Sequence, residues 1–187
     1  VVMLLHSPRE PAAILMKRCQ EIAAYHGYIM VAPLWGGKAR DLAYKYSAKE
    51  HALVLDCLRD LRRRFNVDSD RVFLFGWEAG GTMAFDVGLA HPDQFAGVLP
   101  MNGSCAKFPA RCWTNGQYLP FYVVEGSSNG TNAKASRELF KDWIRGNYPS
   151  IYVEYKGRAS EWYQWELPTM FEWMNKKKRH HRRHHAD

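Results

Sequence analysis

The sequence predicts an α/β fold, with a mostly parallel sheet of about six strands and helices on both faces. Short apolar runs alternate with longer segments of helical period. No repeat or internal linker interrupts the alternation, so consecutive strands are joined by right-handed crossovers. A chain of 187 residues, 47% hydrophobic and 14% aromatic, is long and apolar enough for one domain with a sizeable core.

The elements follow in order. VVMLL (1–5) reads as the first strand, and the segment 11–26 as a helix with Leu15, Cys19 and Ile22 on one face. YIMVAPL (28–34) is the second strand. Over 48–65, Val54, Leu58, Leu61 and Phe65 recur at helical spacing, and Ser47 with Glu50 forms a capping-box signature at its start. RVFLF (71–75) is a strand that runs through a glycine-rich turn into another helix. FAGVLPM (95–101) follows, then a long loop over 102–119, at the sheet edge where α/β proteins keep their sites. PFYVVEG (120–126) and SIYVEY (150–155) flank a helix over 132–146, where Leu139 pairs with Trp143, Phe140 with Ile144, and Gly146 is a natural stop. A last helix is expected over 165–177.

The net charge of +7 is concentrated at one end. Lys176, Lys177, Lys178, Arg179, Arg182 and Arg183 are basic and Asp187 is acidic, which leaves 20 basic against 18 acidic residues over 1–175. The sequence therefore divides into a nearly neutral domain, 1–175, and a basic tail, 176–187, expected to be solvated and disordered. No aromatic residue interleaves with the tail's charges, so a nucleic-acid partner is not favoured. No apolar run reaches the ~18 residues of a membrane helix, and no signal peptide is visible. Cys19 and Cys57 read as buried thiols; Cys105 and Cys112 share one loop and could pair. There is no CxxC and no cysteine–histidine cluster, so neither a metal nor a cofactor is expected, and a reduced, cytoplasmic setting is favoured. Asn102-Gly103-Ser104 and Asn129-Gly130-Thr131 match glycosylation sequons but read as turns.

The turn Gly76-Trp77-Glu78-Ala79-Gly80, followed by Gly81, has the spacing of a nucleophile elbow, with glutamate where a serine would stand. Its context, FNVDSDRVFLFGWEAGGTMAFDVGLAHPDQFAGVLPMNG, resembles the elbow region of phospholipase/carboxylesterase and peptidase-like α/β-hydrolases. HSPRE resembles that family's oxyanion segment, PFYVVEGSSNG its acid-bearing strand end, and YVEYKGRASEW the segment that carries its histidine. The resemblance spans roughly residues 1–175 and implies an α/β-hydrolase-like fold. The family's two leading strands have no counterpart before Val1, so the chain is expected to be a fragment or trimmed.

The resemblance places Glu78 at the nucleophile position, Asn129 at the acid and Ser160 at the histidine. The oxyanion region would be Ser7, Pro8 and Ala79; Ala79 retains its amide, whereas proline has no N–H to give. One argument needs no family. Between Phe95 and Arg179 there is no histidine, and the only aspartate is Asp142, inside a helix. A hydrolase with the order serine, acid, histidine has no base there. His6 is expected near the site as a backbone-shaping residue, and His91 in a surface turn.

Glu78 could act as a carboxylate nucleophile or general base, giving an esterase-like hydrolase or a lyase. It could equally be an anion held by the amides of a helix N-terminus, plugging the site of an inactive binding or scaffold domain. The absent partner residues favour the second reading. Trp77, Trp113, Trp162 and Trp165 are expected near the site edge, with Trp35 as a further neighbour, either lining a pocket for an apolar or sugar-like ligand or packing loops over the sheet, and a small apolar or ester-like molecule is the expected ligand of the domain. A larger chain carrying this domain is a further expected partner.

Overall fold

A computed structural model describes residues 1–36, 42–107 and 112–181. Its strands are β1 (Val2–Leu5), β2 (Met30–Val31), β3 (Phe73–Trp77), β4 (Gly97–Met101), β5 (Tyr122–Gly126) and β6 (Ile151–Tyr155). They form one sheet in the order β2-β1-β3-β4-β5-β6, and every pairing is parallel. The helices are α1 (Ala12–Tyr25), α2 (Ala48–Arg64), α3 (Ala79–Ala90), α4 (Gly130–Arg145) and α5 (Leu167–Asn175). The expected architecture of six strands covered on both faces is what the chain adopts.

Two apolar clusters flank the sheet. One packs Val54, Leu58 and Leu61 of α2, Met83 and Phe85 of α3 and Trp143 of α4 against Met3, Leu5, Leu74 and Val123. The other packs Leu15 and Cys19 of α1 and Met170, Phe171 and Met174 of α5 against Val2, Leu4, Phe73, Phe75 and Val124. Successive strand residues feed opposite clusters, as the period of two requires. The central strands β1, β3, β4 and β5 are buried along their whole length.

α2 starts as its sequence predicts: Ser47 Oγ accepts from Glu50 N at 3.3 Å, and Glu50 Oε2 accepts from Ser47 N at 2.9 Å. Phe65 departs from expectation. It caps α2 in an extended conformation and is 54% exposed, so the apolar stripe ends at Leu61. YIMVAPL pairs through only two residues, at the edge of the sheet. Cys105 and Cys112 are both free thiols, as are Cys19 and Cys57, and Cys57 is only half-buried. Arg179 donates to Asp70 Oδ1 at 3.0 Å and His180 stacks on Tyr118 at 5.8 Å, so the basic end is packed on the domain up to residue 181. Residues 182–187 of the expected tail lie outside the described residues.

The order of the strands reverses between β1 and β3: the chain steps outward from β1 to β2, then returns to run from β3 to β6. The crevice beyond the carboxyl ends of β1 and β3 is where such sheets hold ligands. Ser7 leaves β1 there, and Glu78 leaves β3.

Candidate functional site

Glu78 sits between β3 and α3 with φ 52° and ψ −119°. That left-handed conformation is uncommon for a residue with a Cβ and is kept only where the surroundings enforce it. Here they do. The Glu78 N–H donates to Met101 O at 2.9 Å, and its carbonyl accepts from Thr82 N at 3.0 Å. A Cβ on Gly76 would strike the Gly80 carbonyl, and one on Gly80 would strike the Leu5 carbonyl. The glycines are there because helix and strands approach too closely for side chains.

The side chain of Glu78 is half-buried in a pocket of about 280 Å³ lined by Ser7, Arg9, Ala79, Thr82, Asn102 and Ser160, among others. Ser7 Oγ donates to its Oε2 at 3.1 Å and Ser160 Oγ donates to its Oε1 at 3.3 Å. Glu78 and Ser160, which the sequence resemblance matched to the nucleophile and histidine positions, are therefore in contact, as carboxylate and hydroxyl. Among the described residues, the lining of the pocket contains no histidine.

Asn129 does not join them. It caps α4, yet its side chain turns inward and its Nδ2 donates to Glu125 Oε1 at 2.5 Å. Glu125 is fully buried, and its Oε2 has no partner among the described residues. Burial pushes the Glu125 carboxyl up to about 7, against the opposing pull of hydrogen bonds from Asn129 and Ser136.

Of the residues expected in an oxyanion region, Ala79 occupies the first position of α3, where its N–H has no intrahelical acceptor. Ser7 is buried at the pocket wall, and its Oγ accepts from Arg9 N at 3.3 Å. That amide faces a hydroxyl already donating to Glu78. Pro8 packs toward Gly36 and lines a neighbouring depression with His6, Leu34 and Trp35. His6 is buried behind the loop, with Nδ1 2.8 Å from Ser7 O and its own carbonyl accepting from Trp35 Nε1 at 3.0 Å. It shapes the backbone here, and its Nε2 has no partner among the described residues.

The tryptophans separate into two groups. Trp77 and Trp162 meet edge to face at 6.1 Å, with the Arg18 guanidinium 5.1 Å from each ring centroid and paired with Glu10 at 2.9 Å. Trp165 stands over Tyr155 and Tyr163 and is 54% exposed. Trp113 lies against the opposite cluster, stacked on Tyr148 at 5.8 Å, and is not brought together with Trp77 and Trp162.

Sequence reasoning missed Asn102. Buried, with φ 55°, it accepts from Gly126 N at 3.2 Å and donates to Glu161 O at 2.6 Å. It ties the ends of β4 and β5 to the loop carrying Ser160. The available signal was an asparagine–glycine pair directly after a strand, a common left-handed site.

No family model matches the chain, and no curated protein matches it. Solved structures do. The chain is similar to esterase PE8 at 18% identity and TM-score 0.74, covering 94% of this chain and 91% of that one. It is similar to a phospholipase/carboxylesterase from Dyadobacter fermentans at 14% identity and TM-score 0.74, covering 94% and 90%. A carboxylesterase from Mesorhizobium loti matches at 12% identity and TM-score 0.74, covering 94% and 88%. At these identities the likeness concerns the fold, which is that of the α/β-hydrolases.

Proposed function

We propose that this chain is a catalytically inactive α/β-hydrolase-fold domain that binds a ligand or serves as a scaffold. One observation carries the reading. The carboxylate at the elbow is held by two serine hydroxyls, while the residue at the acid position is turned away to Glu125. Among the described residues that line the pocket there is no histidine to take a proton from a nucleophile and be steered by an acid. The Glu78 side chain fills the place beside Ser7 and Ser160, and its carboxylate accepts from their hydroxyls and from no backbone amide of α3.

The domain runs over residues 1–175, with 176–187 as a basic extension. Its ligand is a small apolar or ester-like molecule at the pocket rim. Four free thiols suit a reducing, cytoplasmic setting. Among the described residues no helix is long and apolar enough to cross a membrane.

A second reading has one observation in its favour. The strained backbone of a nucleophile elbow is retained at Glu78, and strain of this kind concentrates at working sites. On that reading Glu78 is the nucleophile or general base of an esterase-like hydrolase or a lyase.

Glu78→Ser separates the readings from one side. It restores a hydroxyl at the elbow without restoring a base, so it should release no p-nitrophenolate from short-chain p-nitrophenyl esters above buffer. Turnover by this variant would mean that a proton acceptor serves the pocket, and the inactive reading would fail.

A further inference from the structure

Three helices end together at the amino edge of the strands, the edge opposite the elbow. α1 ends at Tyr25 just before β2, α2 ends at Arg64 before β3, and α5 ends at Asn175. Asn175 ties these ends to one another. Its Oδ1 accepts from Tyr28 OH at 3.0 Å, its carbonyl accepts from Arg71 Nη2 at 3.1 Å, and its Nδ2 stands 2.9 Å from His26 Nδ1. A depression of about 420 Å³ between them is lined by His26, Tyr28, Ile29, Asn66, Val67 and Arg71, among others.

This edge collects cations. Arg62, Arg63 and Arg64 fill the last turn of α2, and Lys176, Lys177 and Lys178 follow α5. The negative end of a helix dipole favours positive charge at such places. Some of the charge is answered locally: Arg64 pairs with Asp60 at 3.0 Å, and Asp70 takes both Arg179 and His181. Arg62, Arg63, Arg71, Lys176, Lys177 and Lys178 stand in no ion pair among the described residues. Against them, Asp68, Asp93 and Glu172 are the unpaired acids at this edge among the described residues. Positive charge is in excess, and Arg62 registers it: burial, and then the neighbouring Arg179, lower its pKa.

The same edge exposes large apolar side chains. Tyr25 is 83% exposed, Phe65 54% and Ile29 38%. Each stands where an element stops or starts and nothing covers it. Tyr25 is the last residue of α1, Phe65 caps α2 in an extended conformation, and Ile29 directly precedes β2. A single exposed apolar residue is ordinary. Three of them on an edge with unanswered cations have the composition of a surface that lies in a membrane interface.

We propose that this edge docks on an anionic membrane. The arginines and lysines meet the lipid headgroups, and Tyr25, Phe65 and Ile29 enter the boundary between headgroups and acyl chains. The observations favour a bilayer over other acidic partners. The phosphate backbone of a duplex offers Phe65 and Ile29 no apolar layer to enter. A protein partner would have to bury the lysines at its contact, where protein interfaces are depleted of them. Docked in this way, the elbow pocket faces away from the membrane, so the proposal is independent of what that pocket does.

The probe is cosedimentation with vesicles of phosphatidylserine and phosphatidylcholine. Wild-type protein should bind these vesicles, should not bind phosphatidylcholine alone, and should be released by high salt, which screens exposed charges. Each cation near an anionic surface contributes about fivefold, so Arg63→Gln, Lys176→Gln and Lys178→Gln together should weaken binding roughly a hundredfold. Phe65→Ser should weaken it about tenfold and leave its salt dependence as in wild type. All four side chains are exposed, so the variants should keep the fold, which circular dichroism checks. Glu78→Gln should bind as wild type does, which separates this edge from a lipid held in the elbow pocket. Absence of wild-type binding, equal binding to phosphatidylcholine alone, or undiminished binding by the triple variant or by Phe65→Ser would overturn the proposal. So would a short DNA duplex that displaces the vesicles and binds Phe65→Ser as well as wild type, since the edge would then be a nucleic-acid site.

Discussion

Replacing Glu125 with glutamine should change how stability depends on pH. The side chain is buried under α4, and its carboxyl is raised from 4.5 to about 7 in the folded chain. An acid with a raised folded pKa is more protonated when folded than when unfolded. Between pH 4.5 and about 7 the folded state holds a proton that the unfolded state has released, so stability falls as pH rises through that window. A rise of about 2.5 units at 1.36 kcal/mol per unit is a loss of about 3 kcal/mol. Glutamine keeps the shape and the acceptor for Asn129 Nδ2 but does not titrate. Urea unfolding at a series of pH values should show wild type and Glu125→Gln nearly equal in the acid range. The variant should gain up to about 3 kcal/mol on wild type above pH 7. Other groups titrate in both proteins and cancel in the difference. Parallel stability curves would refute the reasoning, since Glu125 would then ionise in the folded state as easily as in water.

Other perturbations follow from packing and capping. Gly80→Ala drives a Cβ into the Leu5 carbonyl and should cost about 3 kcal/mol or more, read as a lowered urea midpoint or failure to fold. Ser47→Ala removes one half of a capping box and should cost about 1 kcal/mol in the same assay. Asn102→Ala leaves the Gly126 amide and the Glu161 carbonyl unpaired in a left-handed position and should cost about 3 kcal/mol. It should also raise amide hydrogen exchange in the loop that carries Ser160.

The fold was legible because its signals are local. Alternating apolar runs marked all six strands, and Ser47 with Glu50 marked the start of α2. The glycines at 76 and 80 marked a turn whose tightness the contacts with Gly80 and Leu5 explain. What escaped depends on side-chain direction across the fold. Nothing near Asn129 in sequence says that its amide turns back to a buried Glu125 instead of reaching the elbow. Trp77 and Trp113 look alike as loop aromatics, yet they sit on opposite faces of the sheet. His91 read as a surface turn because its partner His51 is 40 residues away in the chain. Phe65 kept the helical period but fell one residue past the last turn of α2, where the backbone had already become extended.

The central claim is that a hydrolase scaffold here presents an anion where the reaction needs an activated nucleophile. Its most direct test is the release of p-nitrophenolate from short-chain p-nitrophenyl esters by purified wild type beside Glu78→Gln. The account predicts that both match buffer. A wild-type rate above buffer that disappears in Glu78→Gln would make the glutamate a catalyst and contradict it.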